Sequence, residues 1–140
     1  MKTIIHQGIP DTPPAPCDIL ALAAHPDDTE FGAAGTVIRW VEEGQRVVYA
    51  IATNGDKGTS DRQLTPARLA DIRRAEQAQA AATIGVREVV YMGYPDQGLE
   101  ESDALRKDVV RLLRGYRPRI LVTSDPYRRY LWHRDPRILG

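Results

Sequence analysis

Four short apolar runs, at residues 18–24, 46–52, 87–92 and 119–123, alternate with longer segments whose apolar side chains recur at helical spacing. A run that is apolar at nearly every position, such as DILALAA, fits a strand buried on both faces, and such strands belong to parallel sheets covered by helices. The alternation therefore predicts an α/β domain around a mainly parallel sheet, with right-handed crossovers. The connecting segments carry their own punctuation. Residues 31–43 contain Val37, Ile38 and Val41 and stop at Gly44, which suits a left-handed C-cap. Thr65 and Pro66 read as N-cap and first residue of a long alanine-rich helix reaching Ile84, with Leu69, Ile72, Ala75 and Ala82 on its core stripe and Gly85 as its stop. Ser102 caps a third helix carrying Leu105, Val109, Leu112 and Leu113 before Gly115. The closing stretch SDPYRRYLWHRDPRILG has no clear period, and residues 1–17, with Pro10, Pro13, Pro14 and Pro16, read as an extended leader. The remaining residues, 18–140, are enough for one domain with one core.

In a sheet of this kind ligands bind beyond the carboxyl ends of the strands. Each unusual polar cluster falls at such an end: residues 25–30, 53–56, 93–98 and 123–135. The first is the most pointed. In LALAAHPDDTEFGAAG, a strand runs straight into His25, Asp27 and Asp28, and Pro26 stiffens the turn between them. His25 and Asp28 are donors that zinc accepts, and across a tight turn they could converge on one ion, leaving Asp27 placed as a general base. The same residues also suit a plain helix cap, since aspartate and threonine are good N-caps. Likewise Arg73 could pair with Glu76 on a solvated helix face, and Asp96 after Pro95 could be an ordinary turn residue.

Bulk composition removes other classes. Lysine plus arginine and aspartate plus glutamate both number 19, so the chain lacks the basic excess that nucleic-acid binding requires. No apolar run approaches the roughly 20 residues of a membrane span. Cys17 is the single cysteine, so no intrachain disulfide can form and a reducing cytoplasm is the expected setting. A dinucleotide-binding oxidoreductase would need G-x-G-x-x-G after the first strand, where His-Pro-Asp-Asp stands instead.

From Ile19 onward, AHPDDTEFGAAGT, TNGDKG, RRAEQAQAAATIGV, MGYPDQGL and TSDPYRRYLWHRD follow one another in the order found in the PIG-L or LmbE-like zinc-dependent de-N-acetylases, which the chain resembles. The resemblance implies a Rossmann-like three-layer fold and hydrolysis of an N-acetyl group on an N-acetylglucosamine-type or related acetamide substrate, with Zn2+ or another divalent metal. It implies that His25 and Asp28 are metal ligands, that Asp27 is the general base, and that Arg73 and Asp96 bind substrate. His133 would stabilise the oxyanion or protonate the leaving amine.

The resemblance breaks in two places. The family closes its ligand set with His-x-Asp-His, whereas this chain reads His133, Arg134, Asp135, Pro136. Family members also continue well beyond this point, so the domain at 18–140 is expected to be truncated, lacking the C-terminal part. Three outcomes are open. His133 or Asp135 could substitute as ligand, a two-residue site could be completed by water, or the chain could be a degenerate member acting as a non-catalytic fold or interaction module. With no later neighbour, the fourth strand would expose an edge, which predicts a homo-oligomer or marginal stability.

Overall fold

The computed structural model describes residues 2–12, 14–128 and 133–140. Five strands, β1 (Ile4–Gln7), β2 (Ile19–Ala23), β3 (Val47–Thr53), β4 (Glu88–Tyr94) and β5 (Ile120–Val122), form one sheet in the order β1-β4-β3-β2-β5. Every pairing is parallel. The chain steps from β2 through β3 to β4 in one direction and then returns to lay β5 on the other side of β2. The switch point lies between β2 and β5.

β1 is a correction to the reading of residues 1–17 as an extended leader only. Ile-Ile-His-Gln is too short to display a period, and its support comes from far away. Thr3 Oγ1 donates to the Val86 carbonyl at 3.0 Å, and His6 Nε2 meets Glu88 Oε1 at 3.0 Å.

The strands alternate between two cores, as residues on a pleated sheet must. Leu20, Leu22, Val48, Ala50 and Val90 face one side. They pack against α3 (Asp103–Tyr116) through Leu105, Leu112 and Tyr116. Ile19, Ala21, Tyr49, Ile51 and Val89 face the other side. They meet α1 (Asp28–Glu42) at Val37 and α2 (Pro66–Ile84) at Ala81. The result is the three-layer α/β sandwich.

The caps follow their residues. Thr65 Oγ1 accepts from Arg68 N at 3.2 Å, Ser102 Oγ accepts from Leu105 N at 3.2 Å, and Gly85 closes α2 at φ 84°. Three details differ from the expectation. α1 starts at Asp28 rather than Phe31, and α3 passes through Gly115 to end on Arg117 at φ 45°. A short α4 (Arg134–Leu139) forms in the stretch without a period. On α2 the buried residues are Leu69, Ala70, Gln77 and Ala81, while Ala75 and Ala82 face solvent. An alanine-rich helix has little apolar contrast around its circumference, so polar contacts help to set its rotation.

β5 is an edge strand, with Ile120 40% and Leu121 43% exposed. Just before β2, Cys17 is buried, and burial pushes its thiol up to about 11. The neutral thiol therefore stabilises the fold fully below pH 9.0, and that contribution is lost as the pH rises through about 11. A thiol-reactive disulfide at pH 8 is expected to leave Cys17 unmodified in the native protein and to label it on denaturation. Rapid native labelling would contradict this burial.

Candidate functional site

β2 and β3 end together, because the Ala24 carbonyl accepts from both Thr53 N, at 2.9 Å, and Thr53 Oγ1, at 2.8 Å. The chain then turns sharply through Pro26. Asp27 adopts φ 80°, ψ −20°, a left-handed conformation that aspartate tolerates better than most residues. Its carbonyl accepts from Phe31 N at 3.0 Å and so begins α1. This turn separates His25 and Asp28 from Asp27.

His25 has two occupied faces. On one, Asp28 Oδ2 accepts from the His25 backbone N at 3.0 Å and stands 3.4 Å from Nδ1. On the other, Nε2 meets Asp135 Oδ2 at 2.9 Å and Asp96 Oδ1 at 3.1 Å. Burial opposes charging of this imidazole, but the hydrogen bonds from Asp28 and Asp135, and the charges of Asp28 and Asp96, outweigh it and hold the pKa up at about 9. Asp135 is fully buried and also accepts from Gln97 N at 2.7 Å and Leu99 N at 3.2 Å. Asp96, 4% exposed, accepts from Lys57 N at 3.1 Å.

His133 is the N-cap of α4. Its Nδ1 accepts from Asp135 N at 3.2 Å, which leaves the ring proton on Nε2. The His133 and His25 rings meet edge-on at 4.5 Å. His25, Asp96, His133 and Asp135 bring their donor atoms within 4.8 Å of one another, a group that could hold a metal ion.

The donor geometry offers two arrangements for an ion. Two ligands bound tetrahedrally at zinc distances stand about 3.3 Å apart. His25 Nδ1 and Asp28 Oδ2 have that spacing, and a carboxylate on the opposite ring nitrogen is the usual support for a ligating histidine. An ion among His25, Asp96, His133 and Asp135 would instead displace the bonds that Asp135 and Asp96 already make. The first arrangement disturbs less. Pro136 lines the adjoining cleft with Asp28, Ser124 and Asp125, so position 136 presents only hydrocarbon there.

Asp27 points to the other wall. Its Oδ2 accepts from Arg73 Nη2 at 2.9 Å, and the same guanidinium donates to the carbonyls of Pro26, at 3.0 Å, and Gly55, at 3.4 Å. A Cβ at Gly58 would overlap this guanidinium, so a side chain there would push Arg73 aside, while Gly55 serves a backbone at φ 67°. Partial burial pushes the Asp27 carboxyl above its usual range, against the pull of Arg73. The cleft beside Asp28, about 510 Å³, opens at the switch point between β2 and β5.

The structure thus gathers His25, Asp27, Asp28, Arg73, Asp96 and His133 at one end of the sheet. Arg73 lies against Asp27, and Asp96 lies behind His25. Residues 129–132 of the last motif lie outside the described residues. Sequence reasoning weighed Asp135 only as a substitute ligand and did not single out Gln77, which bonds the Asp27 backbone at 3.0 Å. A glutamine in an alanine-rich helix carries no signal of its own.

Residues 20–140 match the family described as GlcNAc-PI de-N-acetylase (PIG-L), and the chain belongs to it. It is 33% identical over 122 residues to the diacetylchitobiose deacetylase of Thermococcus kodakarensis, covering 87% of this chain and 46% of that protein. It is 34% identical over 118 residues to the 1D-myo-inositol 2-acetamido-2-deoxy-alpha-D-glucopyranoside deacetylase of Kineococcus radiotolerans, covering 79% and 33%. Among solved structures, the N,N'-diacetylchitobiose deacetylase from Pyrococcus horikoshii superposes with a TM-score of 0.85 at 35% identity, over 87% of this chain and 46% of that one. The chain spans less than half the length of these relatives. Among the described residues no helix is long and apolar enough to cross a membrane.

Proposed function

We propose that this chain holds zinc, or another divalent metal, on His25 Nδ1 and Asp28, and removes the acetyl group from an N-acetylglucosamine-type sugar or a related acetamide. The observation that carries the reading is the 3.4 Å pair of His25 Nδ1 and Asp28 Oδ2, with His25 held from behind by Asp135. Relatives named as acetamido-sugar and diacetylchitobiose deacetylases support the substrate class. A zinc ion there would supply Lewis acidity, polarising the acetamide carbonyl and favouring ionisation of water near neutral pH.

The protein side chains do the rest. Asp27, with its raised pKa, takes the proton of the attacking water. The Nε2–H of His133 donates to the oxyanion as the carbonyl carbon becomes tetrahedral. When the C–N bond breaks, the proton on Asp27 passes to the departing nitrogen, leaving a free amine and acetic acid, which gives up its remaining proton to solvent as acetate. Arg73 and Asp96 each hold a protein partner, so contact with a sugar hydroxyl involves exchanging one of those bonds. A single buried cysteine accords with a cytoplasmic setting.

Chain stripped of metal and reloaded is expected to take up near-stoichiometric zinc and to release acetate from N-acetylated chito-oligosaccharides in proportion to occupancy. His25→Ala is expected to lose more affinity than the roughly 100-fold that removing an outer hydrogen-bond partner costs. Pro136 beside Asp28 favours a second reading, a non-catalytic member of the family. Zinc uptake no greater than that of His25→Ala at micromolar free metal would establish that reading instead.

A further inference from the structure

Asp27 occupies a position with two competing uses. It is the N-cap of α1, and a capping aspartate ordinarily turns its carboxylate onto the first amides of its own helix. Here it makes no such bond, and its carboxylate faces Arg73. In an ordinary capping box the glutamate at the third helical position reaches back to the N-cap amide. Glu30 stands at that third position. Because Asp27 is left-handed at φ 80°, its amide is served by another group.

Gln77 on α2, 3% exposed, is that group. Its Oε1 accepts from Asp27 N at 3.0 Å and its Nε2 donates to Glu30 Oε1 at 2.6 Å. The amide orientation is fixed by its partners, since an amide nitrogen needs an acceptor and a carboxylate needs a donor. Gln77 is thus inserted between the two ends of a capping box.

We propose that Gln77 is a positioning residue for Asp27: by holding the Asp27 amide and Glu30 together from α2, it keeps the turn left-handed and the carboxylate directed away from its own helix, available as a base. The inference rests on the hydrolase reading above and adds to it a residue that touches neither metal nor substrate. With Gln77 removed, Asp27 can relax to an ordinary cap. Some stability is lost with the bonds to the Asp27 amide and Glu30, whose Oε2 has no partner of its own, but a purely structural glutamine would cost stability without a matching fall in kcat.

Gln77→Met preserves length and apolar packing but removes both bonds. It is expected to lose amide-exchange protection at Asp27 and to lower kcat by about 10- to 100-fold, as misplaced catalytic groups do, with KM little changed. Gln77→Glu combined with Glu30→Gln exchanges donor for acceptor and restores both bonds, so protection and kcat are expected to return. Unchanged Asp27 protection in Gln77→Met, unchanged kcat with protection lost, or failure of the folded double variant to recover kcat each overturns the inference. Absence of turnover in the unaltered chain defeats the hydrolase reading itself. The amide measurement keeps the two failures apart, because it reports whether Gln77 holds the turn whatever the activity.

Discussion

Asp135→Ala is expected to destabilise the protein by about 3–5 kcal/mol, read as a fall in the urea midpoint at unchanged slope. The carboxylate is fully buried and accepts from Gln97 N, Leu99 N and the His25 imidazole. Alanine leaves the part-buried Gln97 amide and the buried Leu99 amide without their acceptor and His25 Nε2 with Asp96 alone, and each unsatisfied buried group costs about 1–3 kcal/mol. Two of the three partners lie in the loop after β4 and the third at the end of β2, so one side chain ties α4 to two segments distant in sequence. Asp135→Asn keeps an acceptor and the shape, and is expected to cost less than half as much. A midpoint unmoved by Asp135→Ala would mean that water enters to replace the carboxylate.

The second large effect is chemical. Asp27→Asn is expected to lower kcat by about 10²- to 10⁴-fold, the usual contribution of a general base, while zinc uptake and the unfolding midpoint stay near those of the unaltered chain. Asparagine tolerates the left-handed conformation as aspartate does and can still meet Arg73, so fold and turn are retained. Acetate release measured beside metal content separates the base from the metal. Retention of full activity by Asp27→Asn would remove Asp27 from the mechanism.

Much of this was legible in the chain itself. The continuous apolar runs at 18–24 and 46–52 could be read because strands buried on both faces need apolar residues at every position. The turn at His25–Asp28 could be read because local spacing dictates its geometry. Arg73 and Asp96 came from motif order, not from physics. The rest depended on contacts between segments far apart. β1 is four residues whose partner lies beyond two helices, and neither alternation nor a cap announces it. Asp135 looked like a stand-in ligand because its sequence neighbours gave no hint that the Gln97 and Leu99 amides would enclose it. The rotation of α2 was misjudged at Ala75 and Ala82 because a polar residue, Gln77, occupies the inward stripe.

The pairing of β1 with β4 has a consequence for the order in which the molecule is made. His6 and Glu88 are 82 residues apart. At typical ribosomal speeds, β1 leaves the exit tunnel on the order of 4–16 s before its partner exists. During that interval β2 and β3, which are close in sequence, can pair first, and β1 waits as a free apolar tail for chaperones or proteases to find. Synthesis slowed between α1 and β4 lengthens that exposure without altering the finished fold, so codon usage across residues 43–87 becomes a determinant of yield.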